Sequence, residues 1–116
     1  MGDQMIIEIR HYTLFPGQRE AFIEAFEGPN RRGLREAGML VFGPMRDLEH
    51  PDKVHWMRAF TNEEMRQQVK DTFYESPVWH RDIAPLVMPL IAHMEADVVE
   101  TTGGCETFSG AAGLLS

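Results

Sequence analysis

Hydrophobic and polar residues alternate along residues 5–13 with the period of two that is typical of a β-strand. Pro16 and Gly17 interrupt this pattern, and from Gln18 to Glu27 the apolar residues recur at helical spacing, which predicts a helix with one buried stripe. A further short helical turn is expected over residues 30–37. The strand has two unlike faces, one formed by Ile7, Ile9, His11 and Thr13 and the other by Ile6, Glu8, Arg10 and Tyr12.

Two further strands and a second helix follow. Residues 39–45 are apolar and β-prone, and residues 55–60 alternate again, so we expect two antiparallel neighbours. Thr61 followed by Glu64 has the pattern of a capping box, which predicts the start of a helix that ends near Glu75. In the second of these strands, Trp56, Arg58 and Phe60 share one face and His55, Met57 and Ala59 share the other.

The remaining pattern completes a recognisable order of elements. Ser76 and Pro77 predict the start of another helix, with apolar positions as far as Met94 and interruptions at two prolines, and residues 97–102 predict a last strand. The order strand, helix, strand, strand, helix, strand indicates an α+β, ferredoxin-like βαββαβ fold. Its antiparallel four-stranded sheet would carry the helices on one face.

The chain is expected to form one domain over residues 1–102, followed by a Gly/Ala-rich C-terminal tail over residues 103–116. Within the tail, Phe108, Leu114 and Leu115 are the residues able to dock it on a neighbouring surface. A further hypothesis is that the protein is an interaction adaptor that uses this tail. Truncation after Thr102 would then change the assembly and leave the domain folded.

Charge and composition exclude several classes of partner. Of the 116 residues, 43% are hydrophobic, and the net charge of −7 would repel a nucleic-acid backbone. The single cysteine, Cys105, cannot form an internal disulfide, which fits a reducing compartment. Glu8 and Arg10 interrupt the apolar N-terminus, and no apolar run reaches the roughly 20 residues of a membrane span. We therefore expect a cytoplasmic protein with no nucleic-acid partner and no membrane span.

The polar face of the first and third strands is a candidate dimer interface. Acidic and basic residues on a sheet face that the protein's own helices leave open can pair with each other or with a partner sheet. An alternative makes Arg10 and Arg58 anion anchors inside a cavity. The predicted interface residues are Glu8, Arg10, Tyr12, Trp56 and Arg58.

The opposite face, expected beneath the helices, is a candidate ligand pocket. Here His11 and His55 would lie near Tyr74 and Trp79. His11 and His80 are the candidate catalytic residues, because histidine can exchange protons near neutral pH. The alternative is structural: each histidine would be satisfied by a hydrogen bond, and Trp79 would anchor the core.

Sequence motifs for metals and cofactors are missing. The five histidines show neither HxH nor HExxH spacing, and Cys105 has no companion cysteine. The chain also contains no phosphate loop, dinucleotide glycine fingerprint or GxSxG motif. We expect neither a metal nor a cofactor.

Several segments together resemble one family. The opening stretch IIEIRHYTLFPGQREAFIEAFE, the strand VHWMRAF and the pair Phe73-Tyr74 followed by Pro77-Val78-Trp79 are similar to a NIPSNAP domain over roughly residues 5–102. The resemblance implies a homodimer in which two ferredoxin-like protomers set their sheets face to face as an α/β barrel. It implies no particular activity. We expect either a dimeric module that binds a small apolar ligand, or a cofactor-independent monooxygenase or isomerase acting on a small organic substrate between sheet and helices.

Overall fold

A computed structural model describes residues 4–102, and its strands and helices alternate in the predicted order. Short π-helical and 3₁₀ turns join several of the helices, at Phe26–Asn30, Val78–Ile83 and Met88–Leu90. The strands are β1 (Ile6–Leu14), β2 (Leu40–Arg46), β3 (Lys53–Phe60) and β4 (Ile91–Glu100), and the helices are α1 (Arg19–Ala25), α2 (Arg31–Glu36), α3 (Glu63–Glu75) and α4 (Ala84–Val87).

The four strands form one antiparallel sheet in the order β2-β3-β1-β4. Strands β1 and β3, which carry the predicted polar face, pair directly with each other. Glu8 lies opposite Arg58, and Arg10 lies opposite Trp56. The α+β ferredoxin-like fold is therefore confirmed, and in the single protomer the sheet is not closed into a barrel.

The core lies between this sheet and the helical layer. Tyr12 and Trp56, from the two central strands, pack edge-on against each other with ring centroids 6.0 Å apart. Phe22 from α1 contacts Tyr12, and Phe26 contacts Trp56 at 4.8 Å. All four rings are buried, so they fix the first helical segment against the middle of the sheet.

The face assignment made from the sequence is wrong. Tyr12, Trp56 and Arg58 point toward the protomer's own helices, and so do Glu8 and Arg10. The sequence-based expectation placed the charged strand face on the side of the sheet without helices, because burying charge costs free energy. The structure buries that face because its charges pair with one another and with α3. His11 and His55 consequently lie on the opposite, helix-free face, which we call the open face.

Two element boundaries also differ from expectation. The N-cap of α3 is Asn62 rather than Thr61, since the Asn62 side chain accepts a hydrogen bond from the backbone amide of Met65 at 2.8 Å. Strand β4 begins at residue 91 rather than 97, because the chain after Pro89 pairs with nearly the whole of β1. The expectations for the tail of residues 103–116 lie outside the described residues.

The part of the chain from residue 4 to residue 102 contains no helix with the length and hydrophobicity that crossing a membrane requires.

Candidate functional site

A cavity of about 180 Å³ lies between the sheet and the helical layer. Strands β1, β3 and β4 form its floor, and its roof comes from α2, α3 and the segment that joins α3 to β4. The edge strand β4 contributes Ile91 and Met94 to the cavity lining, and Met94 is partly exposed to solvent. The lining residues are Arg10, Tyr12, Asn30, Leu34, Trp56, Arg58, Lys70, Tyr74, Trp79, Val87, Met88, Ile91 and Met94.

Aromatic rings make up much of the cavity wall. Tyr74 and Trp79 pack edge-on at 4.9 Å, and Phe73 stands behind both of them. Ser76 fixes this corner, because its hydroxyl donates to the Phe73 carbonyl and accepts from the Trp79 amide. The predicted pairing of Tyr74 with Trp79 at one pocket therefore matches the geometry of the cavity.

Beside the cavity, the carboxylate of Glu8 holds a cluster of four cations. Its Oε1 accepts hydrogen bonds from Arg10 and Arg58, each at 2.7 Å. Its Oε2 accepts from Arg66 at 2.6 Å and from Lys70 at 2.8 Å, both on α3. Glu8 is fully buried, so this carboxylate ties the helical layer to the centre of the sheet.

The same contacts set the protonation state of Glu8. Burial alone raises the pKa of this carboxyl, but the charge of Arg58 and the hydrogen bonds from Lys70, Arg58 and Arg66 outweigh it and hold the pKa well below its usual value. Glu8 is therefore ionised at neutral pH, and its two oxygens accept hydrogen bonds from four cationic side chains.

Two tyrosine hydroxyls are held in place by the arginines. The Tyr12 hydroxyl accepts from Nε of Arg10 at 3.1 Å, and the Tyr74 hydroxyl accepts from Arg58 at 2.9 Å. Burial raises the pKa of Tyr12 although Arg10 opposes it, so Tyr12 stays protonated at neutral pH. A hydroxyl that accepts from an arginine still has its own proton to donate.

Two cavity residues have polar side-chain atoms without a hydrogen-bond partner in the part of the chain that the structure describes. Nε1 of Trp56 is buried without a hydrogen bond among the described residues. The side chain of Asn30, a residue only 6% exposed, likewise makes no hydrogen bond to any residue between 4 and 102. Nε1 of Trp56 is too deeply buried for a molecule in the cavity to reach, so Asn30 is the unpaired lining residue that a ligand or water can contact.

The histidines predicted for the pocket lie elsewhere. His11 and His55 face each other on the open face, with their Nδ1 atoms 2.9 Å apart. Nε2 of His11 lies 3.1 Å from Asp97, and Nε2 of His55 lies 2.7 Å from Asp47. The predicted grouping of these two histidines with Tyr74 and Trp79 is therefore wrong, because the sheet itself separates them.

His80 does not enter the cavity either, since it is exposed on the segment after α3. Any chemistry that His11 or His80 supports would take place outside this cavity. No group of three or more His, Cys, Asp or Glu side chains within the described range could hold a metal ion.

The open-face histidines affect one carboxyl strongly. The hydrogen bond with His55, and after it those from the backbone amides of Glu49 and His50, hold the pKa of Asp47 well below its usual range. Asp47 directly follows β2, so this ionised carboxylate fixes the turn that leads into β3.

Sequence reasoning did not assign several of the lining residues to a cavity, among them Lys70, Asn30 and Met94. Lys70 had no assigned role, Asn30 lay in a predicted short helical turn, and Met94 was the last apolar position of a predicted helix. Among these residues, only Lys70 could have been found from the sequence. It lies one helical turn after Arg66, and two cations at this spacing can share one anionic partner.

Comparison with known proteins identifies one matching family model. A family model described as antibiotic biosynthesis monooxygenase matches residues 5–71. No curated protein matches the chain.

Solved structures share the fold at low sequence identity. A NIPSNAP family protein with unknown function from Agrobacterium tumefaciens is 19% identical, with a TM-score of 0.78 over 88% of this chain and 92% of that one. A NIPSNAP-like domain protein from Burkholderia xenovorans is 20% identical, with a TM-score of 0.78 over 90% of both chains. A protein from Nitrosomonas europaea, provisionally named an antibiotic biosynthesis monooxygenase, is 16% identical, with a TM-score of 0.69 over 90% of this chain and 95% of that one. The resemblance to NIPSNAP proteins is thus confirmed at the level of the fold.

Proposed function

This chain belongs to the antibiotic biosynthesis monooxygenase family, and from that membership and the cavity we propose that it binds a small, mainly aromatic organic molecule between its sheet and its helices. The observation that carries the proposal is an aromatic-walled cavity whose lining includes the Asn30 side chain, which makes no hydrogen bond to another described residue. Ligand sites are typically apolar and contain a few placed polar groups that orient the ligand.

The two tryptophans of the chain offer a direct assay, because both Trp56 and Trp79 line the cavity. A naphthalene-ring probe should shift both indole N–H resonances in a ¹H–¹⁵N NMR titration. Val87→Phe would place extra side-chain volume into the cavity from a buried lining position, and we expect it to abolish the shifts.

Leu86→Phe is the matched control. Leu86 is adjacent in sequence but 50% exposed and does not line the cavity, so its substitution should leave binding unchanged. If no naphthalene derivative, charged or neutral, shifts the indole resonances, or if Val87→Phe binds as well as the parent, the proposal fails.

A second candidate function is chemistry on the bound molecule, as a cofactor-independent monooxygenase or isomerase. The name of the family favours it, and so does the presence of Arg10 and Lys70 in the cavity wall. Cations in a site of low polarity stabilise the oxyanion that forms when a substrate loses a proton next to a carbonyl group. Oxygen uptake by the purified protein with a bound substrate supports the oxygenase, and turnover without oxygen uptake supports the isomerase.

We also propose that the protein is a homodimer, with the open face rather than the charged face as its interface. The strand register sets Phe42, Met57 and Ile9 in one row across this face, and Leu40 and Val99 extend it in the adjoining row. Phe42, Leu40 and Val99 are each more than a third exposed. An apolar sheet face of this kind is commonly covered by a second copy.

The dimer is tested by analytical ultracentrifugation of Phe42→Glu and of its control, Leu86→Glu. Phe42 lies on the open face, whereas Leu86 is an equally apolar, exposed residue of α4 on the helical side. We expect Phe42→Glu to sediment as a monomer and Leu86→Glu to sediment as a dimer. A monomeric parent protein would contradict the proposal.

A further inference from the structure

The cavity wall carries positive charge that the protein itself does not balance. Three of its lining residues are cations, Arg10, Arg58 and Lys70, and no Asp or Glu is among the lining residues. Glu8, their common carboxylate partner, lies behind them and does not line the cavity. In a chain with a net charge of −7, this local reversal of sign is unusual.

The ion pairs show how incomplete the balance is. Within residues 4–102, Arg10, Arg58, Arg66 and Lys70 form ion pairs with only two carboxylates, Glu8 and Glu63. Glu63 is mostly exposed and pairs with Arg66, and neither residue lines the cavity. All four cations share the single carboxylate of Glu8, so even with Glu63 the cluster keeps an excess of two positive charges.

The cations also keep hydrogen-bond donors to spare. Arg10 uses Nε for Tyr12 and Nη1 for Glu8, which leaves its Nη2 without a bond to another described residue. Lys70 makes one hydrogen bond, to Glu8, out of the three that an ammonium group can donate. Both side chains are partly accessible, at 13% and 23% exposure, so a molecule in the cavity can reach them.

Aromatic rings lie directly beside these donors. The guanidinium carbon of Arg10 lies 5.6 Å from the ring centre of Tyr12 and 5.7 Å from that of Trp56. An aromatic ring that packs against Tyr12, Trp56 or Trp79 would thus hold a substituent at its edge close to the cations.

We propose that the ligand is an aromatic molecule bearing one anionic oxygen group, a carboxylate or an ionised enol, held by Arg10 and Lys70. This inference rests on the proposed function and names its ligand class. Arg10 presents a planar donor fork that suits two oxygens, and Lys70 adds a point charge. The remaining polar residue, Asn30, can donate to or accept from a second substituent of the same molecule.

The experiment compares two probes of the same shape that differ in charge, 2-naphthoate and 2-naphthamide. Each is titrated into the full chain while the indole N–H resonances of Trp56 and Trp79 are followed. We expect 2-naphthoate to bind at least about tenfold more tightly, since hydrogen bonds to charged groups are the stronger ones. The preference should shrink as the salt concentration rises, because part of the site is open to solvent.

Variants locate the origin of the preference. Lys70→Gln should bring the two affinities close together, because 2-naphthoate loses more affinity than 2-naphthamide does. Arg46→Gln removes a cation that pairs with Glu20 outside the cavity, and we expect it to keep the preference.

Equal affinities for the two probes in the parent protein would overturn this inference and leave the proposed function standing. A preference that survives Lys70→Gln and Arg10→Gln together would also overturn it. If neither probe shifts the indole resonances, the proposed function itself has failed.

Discussion

Replacing Glu8 by glutamine tests the central electrostatic feature of the fold. The substitution keeps the size of the side chain but removes the negative charge that four cations share. It also turns an N–H₂ group, itself a donor, toward partners that are all donors. Each carboxylate oxygen accepts two of the four hydrogen bonds, so two are lost whichever oxygen is replaced, and the repulsion among the cations is no longer offset by Glu8.

The expected loss of stability follows from the burial of each partner. Removing one member of a fully buried ion pair destabilises a protein by about 3–5 kcal/mol. Arg58 is only 1% exposed and cannot reach water, whereas Arg10, Arg66 and Lys70 are 13%, 14% and 23% exposed and can recover part of their hydration. We therefore expect the lower end of that range, about 3 kcal/mol at pH 7.

The pH dependence gives an independent check of sign. The pKa of Glu8 is lowered on folding, so its contribution is fully present above the usual carboxyl pKa and declines as the pH falls below it. In acid the unfolded chain takes up this proton first, which lowers the stability of the parent protein but not that of Glu8→Gln. The gap between the two should be roughly 2 kcal/mol smaller at pH 3 than at pH 7.

Urea denaturation followed by tryptophan fluorescence measures both effects. Glu63→Gln is the matched control, because Glu63 also pairs with Arg66 but is mostly exposed, and its midpoint should hardly move. A gap below about 1 kcal/mol at pH 7 would refute the reasoning, since it would lie under the range for a buried pair. A gap that stays the same at pH 3 would refute the assignment of the effect to the charge of Glu8.

Two further predictions concern the backbone. Gly43→Ala should destabilise the fold by more than Gly17→Ala, as measured by urea midpoints. Both glycines have positive φ angles, so both substitutions strain the backbone. A Cβ at Gly43 would also lie 3.0 Å from Cβ of Trp56, whereas nothing lies within 4 Å of a Cβ at Gly17. Equal effects would show that only backbone strain matters. Asn62→Ala should lower the stability by about 1 kcal/mol, because the amide of Met65 loses its cap, and Asn62→Asp should restore most of it; an unchanged midpoint for Asn62→Ala would contradict the N-cap assignment.

Local patterns were sufficient to predict most of the fold. Strand periodicity and helix-start signals gave the order of the elements and the antiparallel pairing of β2 with β3. They failed after Pro89, where apolar residues at helical spacing, among them Ile91 and Met94, form a strand. Pairing with the free edge of β1 overrides that spacing, and such pairing depends on residues far away in the sequence.

The candidate site was predictable only in parts. The corner formed by Tyr74 and Trp79 could be located because Ser76 and the following proline mark a helix start next to a cluster of aromatic residues. Lys70 and Asn30 could not be assigned to a cavity, since their role depends on the space between layers. A void is a property of the packed structure rather than of any local segment.

The sequence by itself determined which side chains share a strand face: Glu8, Arg10 and Tyr12 on one strand, with Trp56 and Arg58 opposite them. Only the tertiary structure decided which face the helices cover. A period of two is the same for both faces of a sheet, and the usual guide, the cost of burying charge, pointed the wrong way. That cost is offset by Arg66 and Lys70, which come from 58 and 62 residues further along the chain to pair with Glu8.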